Sequence, residues 1–485
     1  MANSSDSRDN WTLLTNVMLS AFLSGVAIRI FAISLPTLAN NLGTDIIGIS
    51  WAVIAYSLST AGLSLVFGRI GDLYGGQTVF VLGLVVFTVA SFLCGLSRNV
   101  SELIFFRLLQ GIGAAMTQSQ GRALAMEAVP KNRAGKAQGW VTAAYQIGFL
   151  LGPSLGGLII EYIHWRGIFF FLVPIGGVGT FLTWMDRKRA AVRAALPEAA
   201  ASLSIDYLGA ALLVGTTMLL IAVLDPRVMA IFPSEWGGMF LLSFFGLFIG
   251  FLLREGTATS PILNLSLFKN RMFAFSTLCL FLETLTHHLT SFVFPFYLQD
   301  VLHFTPSFMG VLFMSAPLFT MVLSPAAGYL SDKVGPRLPA TTGLALSAVA
   351  PLLGTILRPD SHWLLPTLML ALGGVGSGLF ATPNHAAMIS AVPEEYRGVA
   401  GGALQMTFGL ANIFGISLGS YLMTSAFRFH TGVDTATPTP SNPTVFVAAL
   451  NYTFLVVAGI NLVAVIFSLM RGSEVKGETQ GKKRP

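Results

Sequence analysis

Residues 279 to 292 read CLFLETLTHHLTSF, which puts one glutamate and two histidines inside an apolar run extending from about Met272 to Tyr297. On a helix, Glu283 would lie about 16 Å along from Met272, near the middle of a hydrocarbon core roughly 30 Å thick. An uncompensated charge is disfavoured there. His287 follows at i+4 on the same face and can accept or donate a hydrogen bond, whereas His288 points about 100° further round. Desolvation and neighbouring charges act on such a carboxyl in opposite senses, which suits Glu283 and His287 to proton transfer. A neutral glutamate hydrogen-bonded to histidine as helix glue is the plainer alternative. The Glu-x-x-x-His spacing also suits a metal, but an intramembrane metalloprotease needs His-Glu-x-x-His, which the chain lacks. With no soluble catalytic domain in view, the sequence points away from an enzyme, and no metal site or cofactor is expected.

Two arginines join this set. In FFRLLQGIGAA, Arg107 would sit roughly 8 Å inside its helix end, with Gln110 one turn on near the same face. An arginine at the centre of a membrane helix costs about 3 kcal/mol, so it needs a partner, a watered cavity or a snorkel to the surface. Gln110 beside it favours a cavity. Arg29 lies about 10 Å before the end of its own apolar run. It could snorkel outward, stabilise a carboxylate on another helix, or receive an anionic head group of a substrate.

Such residues need helices that cross a bilayer to hold them. The 485-residue chain is 54% hydrophobic and 10% charged, against roughly 25% charged in soluble domains. It reads as an all-α polytopic membrane protein. Fourteen apolar runs separated by polar, Gly or Pro punctuation cover roughly 12 to 36, 46 to 67, 77 to 97, 101 to 127, 134 to 160, 167 to 185, 206 to 224, 238 to 254, 272 to 298, 306 to 330, 339 to 357, 363 to 389, 397 to 426 and 444 to 470. The seventh and eighth are short and are bounded by the charged linker from Asp186 to Asp206 and by DPRVMAIFPSEW. The opening MANSSDSRDN has no basic n-region and the run after it is too long for a signal segment, so a retained first span is expected.

Twenty Lys and Arg residues fall on the side shared by the two termini and five on the other, with Arg29, Arg107 and Arg122 inside spans. By the positive-inside rule both termini should be cytoplasmic. The net charge of +6 is scattered in short clusters between apolar runs, which argues against a nucleic-acid partner. Cys94 and Cys279 lie far apart within apolar runs, without a zinc or disulfide spacing.

The chain also repeats itself. GRIGDLYGG after the second run and GYLSDKVGPR after the tenth share Gly68, Asp72 and Gly75 with Gly328, Asp332 and Gly335. The glycines allow close helix approach and the aspartates can cap the next helix across a gate. Two six-helix bundles are implied, at 1–185 and 272–471. Two extra transmembrane helices occupy the linker 186–271, and a basic cytoplasmic tail covers 472–485.

This loop pattern resembles the signature between helices two and three of the major facilitator superfamily. The second copy keeps the expected basic residues as Lys333 and Arg337, while the first has Leu73, Gly76 and Gln77, implying a weaker latch. Arg107 and Gln110 resemble an Arg-x-x-Gln-Gly pattern that antiporters of the superfamily present to a central cavity. GFLLGPSLGG, with Gly148, Gly152, Pro153, Gly156 and Gly157, is similar to their helix-five motif, which implies a bend that gates the outer end of the cavity. The stretches WRGIFFFLVPIG, IDYLGA and SPILNLSLF extend the likeness to the fourteen-span drug:proton antiporter branch. One departure stands out. Where that branch carries Leu-Asp-x-Thr, this chain has Val26, Ala27, Ile28 and Arg29. The usual acid is missing from the first helix, and Glu283, on the pseudo-symmetric ninth, is the candidate to replace it.

The resemblance implies a proton-coupled efflux antiporter that exports amphipathic toxic compounds by alternating access from a bacterial inner membrane. Its partners would be a small amphipathic substrate, protons and the lipid bilayer. Arg29 motivates a second reading, an exporter or flippase of lipids or other anionic amphiphiles, with Arg29, Arg107, Gln110 and His288 lining the cavity in either case. The Pro/Thr-rich segment 428–446 is long enough to meet an envelope partner, though a plain connector would look the same.

Overall fold

The computed structural model describes residues 10–130, 134–190, 207–224, 236–257, 265–392, 397–433, 438 and 442–471. Most of the linker between the sixth and seventh runs, the basic tail and the side chains of Asp72 and Asp332 lie outside the described residues. Fourteen α-helices occur among those described: α1 (Trp11–Asn41), α2 (Ile46–Tyr74), α3 (Gly76–Leu96), α4 (Val100–Glu127), α5 (Ala134–Tyr162), α6 (Gly167–Ala190), α7 (Tyr207–Leu224), α8 (Trp236–Thr257), α9 (Arg271–Phe296), α10 (Pro306–Val334), α11 (Arg337–Gly354), α12 (Leu364–Ser390), α13 (Arg397–Thr431) and α14 (Pro443–Met470). Ten of them are long and apolar enough to cross a membrane. The apolar parts of α6 and α7 are shorter, at Gly167–Leu182 and Ala211–Leu220. α9 falls outside the ten because Glu283, His287 and His288 lower its hydropathy.

Polar residues mark where the helices start. Asp45, Asn99, Asn270 and Thr305 each accept a backbone N–H from the first turn of α2, α4, α9 and α10, satisfying donors that have no partner within the helix. α13 continues to Thr431, where Gly432 at φ +67° ends it, and α14 begins at Pro443. The connection expected at 428–446 is therefore shorter, and 434–437 and 439–441 lie outside the described residues.

Between helices in lipid the driving force is close packing and hydrogen bonding rather than burial from water. α1 packs on α5, α2 and α3 on α4, α9 on α13, and α10 and α11 on α12. A Cβ at Gly148 would collide with the Phe22 carbonyl, and one at Gly415 with the Leu285 carbonyl. The same device thus seats α5 on α1 and α13 on α9. α7 packs on α8 and contacts the rest through α2 and α13.

The cores reveal how the two helix groups meet. Call the end that carries Trp11 proximal and the end with the α1–α2 turn distal. Distally, one apolar core runs from Leu35 and Ile47 of the first group to Phe292, Leu298 and Phe427 of the second. Proximally there are two separate cores, one around Leu14, Phe80 and Leu124 and another around Phe273, Leu344 and Met388. The groups are joined at the distal end and part towards the proximal one. Across the distal seam Thr37 donates to Gln299 (2.9 Å), Asn40 to Asp300 (3.3 Å), and the Ser307 N–H and hydroxyl both donate to Glu161.

Candidate functional site

α9 carries the acid into the interior of the second group. Glu283, 9% exposed, accepts a hydrogen bond from the Ser377 hydroxyl on α12. One turn on, Thr286 donates to its own helix at the Glu283 carbonyl and to Asn461 of α14 (both 2.9 Å), and Asn461 donates to the Ser347 carbonyl of α11 (2.9 Å). Four helices therefore converge on one polar wall. It faces an open cavity that Phe313, Pro317, Pro351 and Met369 also line.

Arg29 enters the same cavity from α1 of the other group. It is 6% exposed. Its Nη1 donates to Ser291 Oγ (3.2 Å), its Nη2 lies 2.6 Å from His287 Nε2, and its Cζ stands 3.8 Å from the Phe149 ring centre on α5. A guanidinium only donates, so the His287 Nε2 facing it is the acceptor and that imidazole is neutral, with its proton on Nδ1. His287 thus turns to Arg29 across the seam, and Glu283 takes Ser377 as its partner. The sequence suggested a Glu283–His287 pair at i+4; tertiary partners on α1 and α12 displace it.

His288 is stacked edge-on to His287, with centres 5.7 Å apart, and its Cβ lies at the α9–α13 contact beside Gly415, away from the cavity wall. Arg107 and Gln110 were expected in a cavity as well. The structure instead buries Arg107, at 2% exposed, inside the first group between the rings of Phe31 (4.0 Å) and Tyr56 (4.3 Å). Its Nε donates to the Ala52 carbonyl (3.2 Å) and its Nη1 to Gln110 (2.7 Å), which donates onward to Ser91 (2.7 Å). Neutral acceptors and ring faces hold this cation, and neither Arg107 nor Gln110 lines the cavity that Glu283 borders.

The motif residues lie at the ends and seams. Gly75 at φ +92° ends α2 and Gly335 at φ +83° ends α10, backbone conformations that a side chain would strain. Gly68 and Gly328 face Ser119 and Thr382 of the neighbouring helix. Lys333 stands 4.4 Å from the Tyr329 ring, and Arg337 donates to the Leu469 carbonyl (2.6 Å). On α5, Gly152 and Gly156 meet Arg29 and Ile30 of α1, while Gly157 meets the Pro306 carbonyl of α10 and the Pro153 carbonyl meets Gly310. One α5 stretch therefore packs within its own group and across the distal seam.

Several partners had no mark in the sequence. Ser377 lies in a run of small residues, and Asn461 and Ser347 in apolar helices. Ser291 did carry a signal, being i+4 from His287. Arg471, which looks like one more basic residue after the last span, is 1% exposed. It donates to Asn384 (2.9 Å) and to the Pro336 (2.9 Å) and Arg337 (3.2 Å) carbonyls.

A model of the family described as Major Facilitator Superfamily matches residues 17–282 and again 276–485. The chain belongs to the major facilitator superfamily. The first match runs through α1 to α8 into α9 and the second from α9 onward, so each takes in one copy of the repeated loop motif. Among similar proteins, the riboflavin transporter RibZ of Clostridioides difficile is 28% identical over 467 residues, covering 95% of this chain and 97% of that one. The multidrug transporter protein MdtP of Bacillus subtilis is 27% identical over 408 residues, covering 84% and 74%. The fold matches the crystal structure of a bacterial homologue of the human lysosomal transporter spinster with a TM-score of 0.69, at 12% identity and 97% and 98% coverage. Family and relatives make this membrane protein a transporter rather than an enzyme.

Proposed function

We propose that this transporter is a proton-coupled efflux antiporter that exports amphipathic compounds by alternating access, with Glu283 as the proton carrier and His287 as a member of the coupling site. The observation that carries this reading is a carboxyl buried at mid-helix, held by one hydroxyl and bordering a cavity to which both helix groups contribute. Such a group is costly to bury as an ion and belongs where its protonation does work. The multidrug transporter among the relatives supports export of toxic amphiphiles. The excess of basic residues on the termini side supports a cytoplasmic proximal end in a bacterial inner membrane, so the present state would be open inward.

In this reading the segments 1–185 and 272–471 act as two rocking bundles, with 186–271 an inserted pair of helices. The Gly148 to Gly157 stretch of α5 opens and closes the distal seam, and the Gly68–Asp72–Gly75 and Gly328–Asp332–Gly335 turns, with Lys333 and Arg337, do so proximally. A proton moving down a membrane potential gains about 2.3 kcal/mol per 100 mV, enough for roughly a fiftyfold gradient of a neutral cargo. The deciding experiment is efflux from proteoliposomes under an imposed pH gradient. Glu283→Gln should reduce gradient-driven movement at least tenfold while leaving counterflow exchange of substrate intact. Undiminished proton coupling in that variant removes Glu283 from the mechanism.

A further inference from the structure

Arg29 is a buried cation whose charge nothing nearby cancels. Its hydrogen-bond neighbours are a hydroxyl and a neutral imidazole, its ring neighbour is Phe149, and among the described residues no carboxylate pairs with it. Its Nε has no hydrogen-bond partner at all. The acid that borders the same cavity is engaged by Ser377 of α12. Arg107 makes an instructive contrast. It is also buried, yet its Nε and Nη1 are bonded and two aromatic rings sandwich it, and it does not open into this cavity. An arginine held only for structure can be finished in that way. Arg29 is left with donors to spare in a cavity that the hydroxyl residues Thr290 and Ser291 and the apolar Phe313 and Met369 also line.

The geometry points to Arg29 as an anion-receiving subsite, taking the carboxylate, sulfonate or phosphate of a cargo whose apolar body lies against Phe313 and Met369. A planar guanidinium with free N–H groups binds such oxyanions through paired, charge-assisted hydrogen bonds, and the dry surroundings strengthen them. Ser291 fixes the guanidinium and His287 withholds a competing charge. The inference rests on the transport reading above and narrows its cargo to amphiphiles that carry a negative group.

The test is equilibrium dialysis of full-length protein in phosphatidylcholine nanodiscs against 2-naphthoate and 2-naphthamide, a matched pair differing in charge, with empty discs subtracted. Wild type should bind the naphthoate at least tenfold more tightly than the amide. Arg29→Gln should bring the two within about twofold while still binding the amide, and Arg29→Lys should recover part of the preference. Ser291→Ala, which keeps the cation, should lower naphthoate affinity about threefold and leave the amide unchanged. Equal binding of the pair by wild type, or an unaltered preference in Arg29→Gln, overturns the subsite; should that variant not fold, an unaltered preference in Ser291→Ala does so. Adding phosphatidylglycerol to the discs identifies the source of the anion. Displacement of naphthoate assigns the subsite to a lipid head group, and its retention assigns it to a free anion. Dialysis imposes no gradient, so failure of proton coupling at Glu283 and failure of the anion subsite give separate results.

Discussion

Helices α1 to α6 and helices α9 to α14 are built on one packing plan and bury different sets of charged side chains. In both groups a glycine seats the fifth helix on the carbonyl backbone of the first, through Gly148 on Phe22 and Gly415 on Leu285. In both, a glycine of positive φ ends the second helix, at Gly75 and Gly335. Inside that shared frame the first group buries Arg29 and Arg107, while the second buries Glu283 with hydroxyls and amides around it and, at the end of α14, Arg471. The proximal ends differ too. Gln120 closes the first, donating to the Phe67 carbonyl (2.8 Å), whereas Arg471 and Asn384 close the second. Packing geometry tolerates a repeat because backbones meet backbones, whereas each buried charge depends on the side chains around it.

The comparison can be strained at its proximal ends first. Arg471→Ala removes a buried cation and leaves two carbonyls and the Asn384 oxygen without it, so thermal unfolding should show a loss of about 3 kcal/mol, set by charged hydrogen bonds of about 1.5–3 kcal/mol each. Gln120→Ala should cost about 1 kcal/mol, the ordinary worth of a neutral bond. Equal losses would erase the difference between the two caps. Next, Gly148→Leu and Gly415→Leu should each destabilise by about 2 kcal/mol, because a side chain is forced into a backbone contact. A large effect in one group alone would break the shared packing plan. Ser377→Ala is milder, removing one hydrogen bond worth about 1 kcal/mol, and thermal unfolding should show a loss of no more than that.

The smallest effect concerns the distal seam. Burial pushes the Asp300 carboxyl up to about 6, against the opposing pulls of the Asn40 hydrogen bond and of His303 nearby. When the seam opens and water reaches that carboxyl, its affinity for a proton falls towards the ordinary value of 3.8. The closed seam then binds the proton more tightly. Closure should be favoured by acid and should weaken as pH rises from about 4 through about 6. Distances between spin labels on α1 and α10 should report a modest opening over that window, and Asp300→Asn should flatten it. A response of opposite sign would mean that Asp300 is paired, not desolvated, when the seam is shut.

Much of this was legible before any coordinates. Apolar run length located the helices, since a bilayer fixes how many residues a span needs. The repeated loop motif announced two related groups, because a positive-φ helix end calls for glycine wherever it recurs. Glu283 could be singled out as costly from its position alone. Its partner could not: i+4 spacing proposed His287, and α12 supplied Ser377. Arg107 shows the same limit, since its sandwich is made by Phe31 and Tyr56, distant in the chain.

The sequence by itself determined that this chain is a helical membrane protein of two related groups, and which side chains are too polar to sit idly within them. Only the tertiary structure decided what each of those side chains faces: Ser377 for Glu283, His287 for Arg29, and buried carbonyls for Arg471. The reason is physical. Hydropathy and helix ends are local properties paid out residue by residue along the chain, whereas a buried charge is satisfied by whatever neighbouring helices bring within about 3 Å, which no spacing along one helix can specify.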